Sequence, residues 1–139
     1  MGSILKISEA TSLALHTVVY LAGHPDTLVS TREIAKALHA SEAHLSKVLQ
    51  RLARVGVVKS IRGPKGGFAL AKNPDDITLL QIYEEIEGPI DNEVCLASSP
   101  VCSGRGCILG TLLQSCQDQV KKHLSKTTVG KLTHVFQKS

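Results

Sequence analysis

Three of the four cysteines fall within one short segment, CLASSPVCSGRGC, which spans residues 95–107. Thiols gathered this closely can form a disulfide, clamp zinc, exchange as a redox pair or hold an iron–sulfur cluster. The spacing is Cys95-x6-Cys102-x4-Cys107, which lacks the Cys-x2-Cys pairs usual in zinc ribbons and bacterial ferredoxins. Long intervals containing Pro100, Gly104 and Gly106 make a flexible loop able to wrap a cluster, whereas closed zinc sites favour tighter spacers. Thiolates suit both metals, so ligand softness does not decide. Arg105 favours thiolate over thiol at its neighbours. The opening residues MGSILKISEA lack the apolar run and cleavage site of a secretory signal. The expectation is therefore a cytoplasmic protein, in which stable disulfides are disfavoured. Cys116 sits among apolar residues of helical spacing and reads as a small buried hydrophobe.

The elements that must position these thiols are mostly helical. The chain has 139 residues, 42% of them hydrophobic, with two Tyr, two Phe and no Trp. Aliphatic side chains must therefore build the core, which favours helices over an aromatic-rich sandwich. No apolar run approaches the roughly 20 residues of a membrane span. Apolar positions at helical spacing predict a first helix over 7–23. Ser30 with Glu33 forms a capping-box pattern that opens a second helix, and Ser41 opens a third after a short break. Gly56 is placed to end that third helix. Two short β-branched or apolar runs then bracket RGPKGG, a hairpin signature. Thr78 and Gln81 open a fourth helix that stops at Gly88, a long amphipathic helix covers 108–124, and TVGKLTHVF reads as a short last one.

Helix, helix, turn, helix and basic hairpin make a winged helix-turn-helix. The fold class is mainly α with a small β-hairpin wing. Residues 1–88 are expected to form the DNA-binding domain, 89–107 the cysteine loop, and 108–139 a dimerisation helix and tail. The charge is asymmetric: residues 1–72 hold ten Lys and Arg against four acids, whereas 73–93 hold seven acids and no base. A basic first half suits a polyanion. Ser41, Glu42, His44, Ser46 and Lys47 lie on the first turns of the third helix, where polar side chains can reach base edges in a major groove. Thr31 and Arg32 at the start of the preceding helix, Arg51 further along the third, and Arg62, Lys65 and Gly66 in the hairpin complete the candidate contacts to double-stranded operator DNA. The loop RGPKGG is not a nucleotide cradle, because no Lys-Ser/Thr pair and no helix follow it. No nucleophile–base pair or cofactor motif marks an enzyme, and a small electron carrier needs neither the basic hairpin nor a recognition helix. Ile108, Leu109, Leu112, Leu113, Val120 and Leu124 give the long helix more apolar surface than one small domain must cover, so it is the expected homodimer seam.

The stretch SKVLQRLARVGVVKSIRGPKGGFALAK resembles the winged-helix segment of the IscR/NsrR-type bacterial transcription regulators, and the likeness extends from LALHTVVYLA to the helix after the cysteine loop. The resemblance implies a dimer that binds operator DNA through helix-turn-helix and wing. In many members three loop cysteines hold an iron–sulfur cluster whose state controls DNA binding; here these would be Cys95, Cys102 and Cys107. Nuclearity, 2Fe–2S or 4Fe–4S, stays open. In several members the first helix of the partner subunit completes the ligation. Glu9, Ser12 and His16 lie along one face of that helix, and the position carrying a carboxylate ligand in some members is Ser12 here. His16 is the first choice of fourth ligand and Glu9 the second. The expected function is a transcriptional regulator, a repressor, sensing redox state, nitric oxide or iron and cluster status. Its alternative is a winged-helix regulator that senses a small metabolite or thiol oxidation without a cluster.

Overall fold

Three hydroxyl caps read from the sequence start three helices. Ser30 Oγ accepts the Glu33 N–H at 3.1 Å, and Ser41 Oγ accepts that of His44 at 3.1 Å. Thr78 and Gln81 close a reciprocal capping box at 3.2 and 3.0 Å. Such caps satisfy backbone donors that a helix leaves unpaired, each contributing about 1 kcal/mol. A fourth cap, Ser8, accepts the Thr11 N–H.

The computed structural model describes residues 5–90, 95–97, 101–102 and 106–137. Its helices are α1 (Glu9–Ala22), α2 (Thr31–Leu38), α3 (Glu42–Arg54), α4 (Leu79–Glu87) and α5 (Leu112–Lys126). Strands β1 (Val58–Ile61) and β2 (Gly67–Leu70) form an antiparallel hairpin between α3 and α4. Short 3-10 helices cover Pro74–Asp76 and Val129–Phe136. The architecture is mostly helical with one wing, as the sequence predicts. Among the described residues no helix is long and apolar enough to cross a membrane.

The α2–α3 turn is tight because His39 takes the left-handed conformation (φ 53°), which lets the Ala40 N–H reach back to Ala35 O. After α3, Gly56 takes φ 81° and directs the chain into β1. The hairpin is tied to the loop before α2: Val29 and Phe68 exchange backbone hydrogen bonds of 2.9 and 2.8 Å. That approach requires glycine at 67, since a Cβ there would lie 2.8 Å from the Val29 carbonyl oxygen.

One core joins these elements. Ala14 and Val18 of α1, Ile34 of α2, Leu45, Leu49 and Leu52 of α3, and Ile82 of α4 are fully buried. Val129 completes it from the far end of the chain. The Val129 N–H binds Ile77 O, and the Leu79 N–H binds Thr127 O. Phe136 sets its ring edge-on against Tyr20, at 5.6 Å between centroids.

Helix α5 differs from expectation in two respects. It starts at Leu112 rather than 108, because Gly110 adopts φ 60° and residues 107–110 form a turn closed by Gly110 N–H and Cys107 O. Its apolar face is covered only in part: Leu124 is buried and Leu113 and Val120 are half-buried, but Leu112 is 55% exposed and the preceding Ile108 81%. Cys116, expected to be buried, is exposed on this helix, because no other described residue covers it.

Candidate nucleic-acid interface and cysteine segment

Helix α3 separates its two faces by spacing. Leu45, Val48, Leu49 and Leu52 face the core, while Ser41, Glu42, Lys47, Arg51 and Arg54 are exposed and His44 and Ser46 are half-buried. The polar first turn therefore projects away from the core, where a groove-binding helix needs it. On α2, Arg32 is exposed and Thr31 half-buried. Arg62 and Lys65 are exposed at the wing tip. Gly66 shapes the turn: a Cβ there would lie 2.0 Å from Ile61 O, and its N–H binds Gly63 O.

A side chain from α1 reaches the recognition helix. Glu9 Oε1 lies 3.6 Å from His44 Nδ1. Beside it, Glu87 at the end of α4 receives the hydroxyls of Ser8 and Thr11. Those hydroxyls, Ser8 before Thr11, hold the Glu87 carboxyl below the usual carboxylate range, with Arg51 adding a smaller effect against a slight opposing desolvation. The sequence reading named neither contact. Their partners are brought together only by tertiary packing, and no local spacing signals them.

Cys95, Cys102, Cys107 and Cys116 are free and exposed. Among the described residues no three His, Cys, Asp or Glu side chains are gathered as a metal site. Cys107 Sγ accepts the Leu109 N–H at 3.5 Å. Pro100, Gly104 and Arg105, invoked above for the loop's shape and charge, lie outside the described residues.

Of the α1 candidates, Glu9 turns to His44, whereas Ser12 and His16 meet each other. His16 Nδ1 sits 2.6 Å from Ser12 O. A carbonyl only accepts, so Nδ1 carries the proton and Nε2 keeps its lone pair in the neutral ring. This arrangement orients a histidine for metal ligation. The exposed His16 ring borders an apolar pocket of about 180 Å³ lined by Leu15, Val19, Leu79, Leu132 and Phe136. His24 is half-buried and stacks on Tyr20 at 4.3 Å.

Comparison with known proteins agrees with this architecture. Residues 7–135 match the Rrf2 family, described as iron-dependent transcriptional regulators. A putative helix-turn-helix transcriptional regulator of Aquifex aeolicus is 35% identical over 134 residues, covering 94% of this chain and 93% of the relative. The structure of CymR, the global cysteine regulator of B. subtilis, is similar with a TM-score of 0.79 and 32% identity, covering 96% of this chain and all of that one. IscR of T. potens is similar with a TM-score of 0.73 and 25% identity, covering 95% and 89%. The family and its relatives are transcriptional regulators, not enzymes, which agrees with a DNA-binding winged helix. The chain belongs to the Rrf2 family of transcriptional regulators.

Proposed function

We propose that the chain is a cytoplasmic, homodimeric repressor whose hold on operator DNA is set by an iron–sulfur cluster, 2Fe–2S or 4Fe–4S. In this reading Cys95, Cys102 and Cys107 supply three thiolates and His16 of the partner subunit supplies imidazole, with Glu9 the second choice. The observation that carries it is the prepared His16 ring: Nδ1 is engaged by Ser12 O, which leaves Nε2 free on an exposed helix face. The donor set fits such a group, with three exposed thiols, one of them already taking a backbone N–H. The exposed Ile108 and Leu112 beside the cysteine segment support the expected seam between protomers. When bound, the cluster supplies redox- and nitric oxide-sensitive iron–thiolate bonds.

The DNA half of the reading assigns base edges to Ser41, Glu42, His44, Ser46 and Lys47. Backbone phosphates fall to Thr31, Arg32, Arg51, Arg62 and Lys65, and Gly66 allows close approach of the wing. Ligation across the subunits would fix the spacing of the two α3 helices, and loss of ligation would release it.

Anaerobic purification tests the reading. Visible absorbance with stoichiometric iron and sulfide, and operator affinity that changes when iron is removed, are the expected results. A colourless protein whose operator affinity instead follows thiol oxidation would establish the second reading, a cluster-free thiol sensor. The four exposed, ungathered thiols favour that alternative.

A further inference from the structure

Both polar ends of His44 are held, and by different elements. Its backbone N–H is bound by the Ser41 cap at 3.1 Å. Its ring nitrogen Nδ1 faces the Glu9 carboxylate of α1 at 3.6 Å. Among the described residues this is the one close contact between a carboxylate and a basic side chain, and it links α1 to the first turn of α3. The His44 side chain is 34% exposed and that of Glu9 79%, so the contact adds little to stability and its effect is on orientation. Glu9 itself stands on a fixed platform. Its neighbour Ser8 and the buried Thr11 both bond Glu87, which locks the start of α1 to the end of α4.

We propose that Glu9 is a positioning residue for operator readout that acts through His44. The inference rests on the base-reading role assigned to His44 above. A carboxylate facing Nδ1 favours the proton on that nitrogen of the neutral ring, which leaves Nε2 as an acceptor. In a major groove an acceptor pairs with the exocyclic amine of adenine or cytosine and not with the N7 and O6 acceptors of guanine. Glu9 therefore selects the kind of base edge that His44 reads while touching no base itself. Because this engages the Glu9 carboxylate, it also leaves His16 as the α1 side chain free to ligate.

A double-mutant cycle tests the inference. Parent, Glu9→Ala, His44→Ala and the double variant are titrated at pH 8 against an operator selected from a randomised duplex pool, against that operator changed one base pair at a time, and against random duplex. Removing the Glu9 charge raises affinity for every duplex alike, so the readout is the ratio of operator to random affinity. Glu9→Ala is expected to lower that ratio roughly fivefold or more, at one base pair carrying an adenine or cytosine amine. In the His44→Ala background the same change is expected to have no further effect. A Glu9→Ala loss of equal size in both backgrounds, or no loss in either, overturns the proposal. If His44→Ala itself leaves the ratio at the parent value, the base-reading role fails and the proposal falls with it. Thermal melting of each variant, expected unchanged for Glu9→Ala, separates readout from folding.

Discussion

The buried Thr11 of α1 donates its hydroxyl to the Glu87 carboxylate of α4 at 2.5 Å, across 76 positions of sequence. Ser8 donates to the same oxygen. These hydroxyls bind the ionised carboxyl better than the protonated one, which is why the Glu87 pKa is lowered. A lowered folded-state pKa adds stability that is present above the ordinary glutamate range and is lost as pH falls through the folded value. Acidification is thus expected to loosen α1 from α4. Glu87→Gln, which keeps an acceptor oxygen but cannot titrate, should flatten the acid limb of the stability–pH curve. Chemical denaturation between pH 3 and 7 measures this, and an unchanged acid limb would rule the contact out as a source of pH dependence.

Ser41 caps α3 and, in the proposed reading, also faces DNA, and two substitutions separate the roles. Ser41→Ala removes the cap on His44 N–H and should cost about 1 kcal/mol of stability. Ser41→Asp keeps a capping oxygen and should hold the melting temperature near the parent value. The added negative charge at the groove-facing end of α3 should still weaken binding to any duplex. Melting curves and operator titrations on the same three proteins provide the check.

The wing prediction concerns salt. Arg62 and Lys65 are exposed at the hairpin tip, with no acidic partner among the described residues. If each neutralises one phosphate, Arg62→Ala and Lys65→Ala should each reduce the slope of log affinity on log salt by about 0.9. Specific and random duplexes should weaken together. Slopes identical to the parent's would remove the hairpin from the interface.

For the cysteines, single alanine variants of Cys95, Cys102 and Cys107 are each expected to lose the visible absorbance, and Cys116→Ala to retain it. His16→Ala should shift or bleach the spectrum. Mixing His16→Ala with Cys102→Ala subunits should restore one intact composite site per heterodimer. Heterodimers that form yet stay colourless would refute ligation across the subunits.

The features legible in the sequence were those whose cause is local. Ser30, Ser41 and the Thr78–Gln81 pair announce their helices because a cap acts on a backbone group three residues away. Glycine at 56 and 88 marks helix ends for the same reason, and RGPKGG marks the wing. Contacts made by packing were not legible. Val29 with Phe68, Phe136 with Tyr20, and Glu9 with His44 join distant segments whose composition does not name a partner. Cys116 was misread because apolar spacing marks a helix face without fixing how much of that face the rest of the fold covers. The same spacing placed the start of α5 too early, since the conformation of Gly110 outweighs an apolar pattern that continues through it.

Val129, fully buried in the core and hydrogen-bonded to Ile77, has a consequence for synthesis. Translation delivers α1, α2, α3 and the wing early, but the cavity that Val129 fills stays open until that residue has been added. A ribosome-bound chain halted at residue 88 therefore holds an unfinished core, and so does a messenger fragment encoding only the helix-turn-helix. The helix-turn-helix half completes its core only once the cysteine segment has been made, so a truncated product is expected to be a ready substrate for proteolysis.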